Sequence, residues 1–91
     1  TNAIYLIGLA TVNWHNKKYT SAKNNLDLVE LGRIELGYVD YISLFYYLTK
    51  IKISFSENDI TTNMKSIAII KKLVVHTKFL RFESETHKYS L

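Results

Sequence analysis

The sequence predicts an all-α domain: a small bundle or set of helical hairpins of about four helices, with a short extended or flexible C-terminal tail. Apolar residues recur at spacings of three and four in both halves of the chain, as they do on helices with a buried face. The breaks between these runs are short and polar, at 13–18, Gly37 and 54–58, and no Pro/Gly/Ser-rich linker or low-complexity run divides the chain. A length of 91 residues, 47% of them apolar, and a net charge of +4 belong to one globular domain or a piece of one. Thr1 is expected of a processed chain or one cut from something longer.

The first helix is expected over 2–12, with Ile4, Ile7 and Gly8 on one side. A second is expected over 19–36, where Ala22, Leu26, Val29, Arg33 and Leu36 share a face, although Gly32 would cost about 1 kcal/mol within it. The third carries the clearest pattern: Tyr41, Leu44, Phe45, Leu48, Ile51 and Phe55 form one row, and Ile42, Tyr46 and Ile53 form a second beside it. Its polar strip is thin, with Asp40, Ser43 and Lys50 at the centre and Thr49 and Lys52 at the margin. A helix apolar nearly all round is buried on most sides. The alternation of Ile51, Ile53 and Phe55 also fits a strand, so an α+β fold with strands near 49–56 and 78–83 is the alternative.

Ser56, Glu57, Asn58 and Asp59 form a capping cluster for a fourth helix, because short oxygen side chains accept from free backbone N–H groups. Ile60, Met64, Ile67, Ile70 and Val74 then run down one face, widened by Ile69 and Leu73. Leu80 and Phe82 alternate with charged residues, so 1–82 is read as the core of a single domain and 83–91 as a mobile tail.

Composition narrows the function classes. With no cysteine, the chain has no disulfide, no thiolate nucleophile and no sulfur ligand for zinc; a reducing compartment, cytoplasm or organelle matrix, is compatible with that. Ile, Lys, Asn and Tyr are abundant and Lys outnumbers Arg ten to two, which fits an AT-rich genome and weakens any inference from lysine content alone. No apolar run approaches the roughly 20 residues of a membrane span, while an interfacial helix stays open. The glycines do not form a phosphate loop, and no His-Glu-x-x-His pattern or nucleophile elbow is present. His15, His76 and His87 lie far apart. Glu83, Glu85 and His87 would share one face of an extended tail, the minimum for a metal site, but such runs are ordinarily solvated. No catalytic residue, metal or cofactor is expected.

Residues Leu6-Ile7-Gly8-Leu9-Ala10-Thr11-Val12-Asn13 resemble the signature helix of LAGLIDADG homing endonucleases, which implies a metal-binding role at Asn13. Trp14 stands where that family has a small residue, and no basic sheet follows. Leu31-Gly32, Asp40-Tyr41, Leu44, Tyr47, Lys50 and Ile51 resemble one tetratricopeptide repeat, which implies a helical hairpin; Leu44 replaces the family's Ala.

Charge is the remaining handle. Residues 1–45 are neutral, and the whole excess of +4 lies in 46–91. Lys65, Lys71, Lys72, Lys78 and Arg81 are candidate phosphate contacts along the fourth helix and beyond. The function expected is a non-enzymatic structural or interaction subunit packed against other protein subunits, with Tyr41, Leu44, Phe45 and Leu48 packed within the domain and Ile42, Tyr46 and Ile53 as the partner-facing row. The alternative is a basic RNA-binding structural component, such as an organellar ribosomal protein, using the C-terminal half.

Overall fold

Five helices and no strand make up the described residues: α1 Ala3–His15, α2 Tyr19–Asp27, α3 Val39–Glu57, α4 Ile60–Thr77 and α5 Arg81–Lys88. The computed structural model describes residues 3–29, 39–77 and 81–91, and within the last two stretches the side chains of 42–73 and 85–91. The all-α expectation holds. Residues 49–56 lie inside α3, and Lys78 and Leu80 lie outside the described residues.

Two helices end in the same way, on a left-handed residue that is not glycine. Lys17 has φ 61° and Asn58 has φ 57°. Lys18 N–H donates to Asn13 O at 2.8 Å and Lys17 N–H to Trp14 O at 3.0 Å; Asp59 N–H donates to Ser54 O at 2.9 Å and Asn58 N–H to Phe55 O at 3.2 Å. These paired six-to-one and five-to-two bonds satisfy the last free carbonyls of α1 and α3. The polar breaks at 13–18 and 54–58 therefore contain helix-terminating turns, and Gly37 lies outside the described residues. Asp59 then opens α4, its Oδ1 accepting from Thr62 N–H at 3.2 Å. The hydroxyl and N–H of Thr62 hold the Asp59 carboxyl below its ordinary value, with a smaller contribution from the Lys23 charge.

α2 is shorter than its apolar spacing predicts, ending at Asp27 rather than running to 36. Asn24, Asn25 and Asp27 are poor helix formers because their short side chains compete for backbone groups. Leu28 and Val29 donate back to Asn25 O and Leu26 O in a tightened last turn. Arg33 and Leu36 lie outside the described residues.

The axis of the molecule is α3, which is buried on two sides. On one side Leu44, Leu48 and Ile51 pack with Ile70 of α4, flanked by Tyr47, Ile67, Leu73 and Tyr89. On the other Ile53 packs with Ile7 and Ala10 of α1 and Ala22 and Leu26 of α2, flanked by Trp14, Val29, Ile42 and Tyr46. Ala10 and Ala22 are both fully buried, and their small side chains let α1 and α2 approach closely. The Ile51/Ile53 alternation thus reflects two cores on opposite sides of one helix. It is not a pleat.

Residues 83–91 are helical for most of their length rather than extended. α5 covers most of them, with His87 and Lys88 beside its carbonyl end, where cations are favoured. Tyr89 then packs edge-on against Trp14 and Phe55, both at 5.6 Å between ring centroids. Among the described residues no helix is long and apolar enough to cross a membrane.

Candidate interaction surfaces

An apolar groove of about 480 Å³ lies between α1 and α3, with Glu85 of α5 at one end. Its walls are Ile4, Ile7 and Gly8 from α1 and Ile42, Phe45 and Leu48 from α3. The two helices run in the same direction, since Thr11 meets Thr49 at 3.2 Å and Trp14 Nε1 donates to Ser56 Oγ at 2.8 Å. The groove is therefore polarised along its length. Isoleucine and phenylalanine line the N-terminal end of both helices, and Thr11, Thr49, Lys52 and Glu85 line the other.

The polar end has a definite hydrogen-bonding character. Thr11 Oγ1 reaches Ile7 O at 2.9 Å, and Thr49 Oγ1 reaches Phe45 O at 3.0 Å. The two hydroxyls have one proton each for these two bonds and the contact between them, so the pair retains acceptor lone pairs and has no proton to spare. Lys52 Nζ is held by Glu85 at 3.5 Å and lies over the rings of Trp14 and Tyr89 at 5.4 and 5.5 Å.

The row expected to meet a partner is differently placed. Ile53 is only 3% exposed, and Ile42 and Tyr46 pack half-buried around the α1–α2 core, so the chain's own first two helices cover much of this row. Phe45, expected in the interior, is 46% exposed at the groove rim. The faces are exchanged because α1 and α2 pack on the side of α3 that the sequence offers to a partner. Of the three expected residues, Ile42 alone lines the groove. Ile4, Gly8 and Phe45 line the groove without having been singled out in the sequence as surface candidates; the only signal there was a glycine in the middle of an apolar helix.

Lys65, Lys71 and Lys72 are all exposed on α4. Lys78 and the side chain of Arg81 lie outside the described residues. Among the described residues no group of three His, Cys, Asp or Glu side chains is placed to hold a metal. The helical backbone of α5 turns successive alternate residues by roughly 200°, so 83, 85 and 87 do not line up as they would in an extended tail. Glu85 turns to Lys52, and Asn13 spends its Nδ2 on Asn25 Oδ1 at 2.7 Å, bracing α1 against α2. No protein-family model matches the chain, and no curated protein or solved structure matches it.

Proposed function

We propose that the protein is a non-enzymatic helical interaction subunit, and that the α1–α3 groove receives an amphipathic helix of a partner protein. The observation that carries this is the apolar rim: Ile4 is 68% and Phe45 46% exposed beside a groove whose walls are already apolar. A small ligand inside the groove would leave that rim in water, whereas a helix laid along it would cover rim and walls together. The lining runs from Ile4 to Thr11 and from Ile42 to Lys52, about 10 and 15 Å along the two helices, which suits two to three turns of a partner helix. A Cβ added at Gly8 would meet nothing within 4 Å, leaving room for a partner side chain. The complementary helix has apolar anchors at i, i+3 or i+4 and i+7, then a hydrogen-bond donor facing Thr11 and Thr49.

The test is co-purification of the full chain with its native neighbours, with crosslinked segments identified by mass spectrometry, for wild type and Gly8→Trp. A partner helix crosslinked at the groove in wild type and lost in Gly8→Trp, with the melting temperature no lower than wild type, supports the reading. Crosslinks that survive Gly8→Trp, or that map to other faces, reject it.

A further inference from the structure

The outer face of α4 combines exposed apolar side chains with lysines. Ile60, Met64 and Ala68 follow one another at intervals of four and are all exposed, Ile60 by 55% and Met64 by 64%. Lys65 and Lys72, seven apart, run along one flank of this row, and Lys71 follows Ala68 one turn on. From Ile60 to Thr77 the helix contains no Asp or Glu. The carboxylates just before it are engaged elsewhere, Glu57 with Lys23 at 3.2 Å and Asp59 at the helix cap.

We propose that this face docks the protein on the surface of an anionic lipid bilayer, with α4 lying in the plane of the interface. Two requirements meet there. Lysines beside a row of apolar side chains match a layer where anionic headgroups adjoin acyl chains, and long lysine stems let the ammonium reach the headgroups while the row inserts. A nucleic-acid backbone satisfies only half of this chemistry. It would take Lys65, Lys71 and Lys72 but leave Ile60 and Met64 in water, because phosphates offer no apolar surface. The face lies on α4, away from the α1–α3 groove, so membrane docking and helix binding do not exclude each other.

The experiment is co-sedimentation of the full chain with vesicles of phosphatidylcholine alone and of phosphatidylcholine mixed with phosphatidylserine, at low and physiological salt. Binding to the mixed vesicles only is expected, weakening about five-fold for each of Lys65→Gln and Lys72→Gln. Met64→Ser and Ile60→Ser should weaken binding several-fold at unchanged charge, with melting curves like wild type because both side chains are exposed. Gly8→Trp should bind vesicles as wild type does, which separates this surface from the groove. No retention on the mixed vesicles at low salt overturns the proposal. So does retention indifferent to Met64→Ser and Ile60→Ser but displaced by single-stranded RNA, which would make the lysines a nucleic-acid surface.

Discussion

Asn63 shows how much one buried polar side chain can organise. It is fully buried on α4; its Nδ2 reaches Tyr89 O at 2.9 Å, Ser54 Oγ at 3.2 Å and Ile51 O at 3.4 Å, and its Oδ1 accepts from Leu91 N–H at 3.0 Å. One amide thus joins α3, α4 and the segment after α5. Asn63→Ala should cost about 1–3 kcal/mol in chemical denaturation, since the backbone groups of Tyr89 and Leu91 lose their partner. Asn63→Asp should cost more, because a carboxylate would turn lone pairs toward carbonyl oxygens in a buried site. Gly8 is the opposite case. With nothing near its missing Cβ, Gly8→Ala should raise stability by about 0.5–1 kcal/mol through helix propensity, read as a higher melting temperature.

At the scale of elements, α4 depends on its first turn. The folded Asp59 pKa lies below the unfolded value, so its contribution is present above about pH 4 and is lost as pH falls through the folded value. Stability should therefore drop on acidification below that point. In Asp59→Asn, whose amide oxygen can accept the same bond without titrating, that part of the drop should be absent when melting temperature is followed against pH. The helices themselves were legible because the three-and-four spacing is a property of local sequence, and the breaks at 13–18 and 54–58 were legible because they are helix-ending turns. The end of α2 was not, since Ala22, Leu26 and Val29 keep their spacing past the point where Asn24, Asn25 and Asp27 stop favouring the helix. Nor was α5 legible. Its order depends on Tyr89 meeting Trp14 and Phe55, and on Asn63, far away in sequence.

At the scale of the whole molecule, the two apolar rows of α3 were visible in the sequence, but which helices would cover each was not. Period alone marks a face as buried without saying by what, so Ile53 was given to a partner and Phe45 to the interior. Leu44 and Ile53 now stand for the two cores, at 0% and 3% exposure. Leu44→Ala and Ile53→Ala should each cost about 2–5 kcal/mol of folding stability, and their effects should add, since they face different helices.

That division has a kinetic consequence. α1 packs chiefly on its sequence neighbour α2, and α3 on its neighbour α4, so most of the packing closes over short loops. Chains dominated by local contacts pass through fast, small-barrier steps. Each helical hairpin here can form before the other arrives, with α3 as their shared surface. Native-state hydrogen exchange should then report two protection tiers, the α3–α4 amides opening last and the α1–α2 amides opening as a separate unit. Leu44→Ala should lower the upper tier, while Ile53→Ala should release α1 and α2 and leave α4 protected.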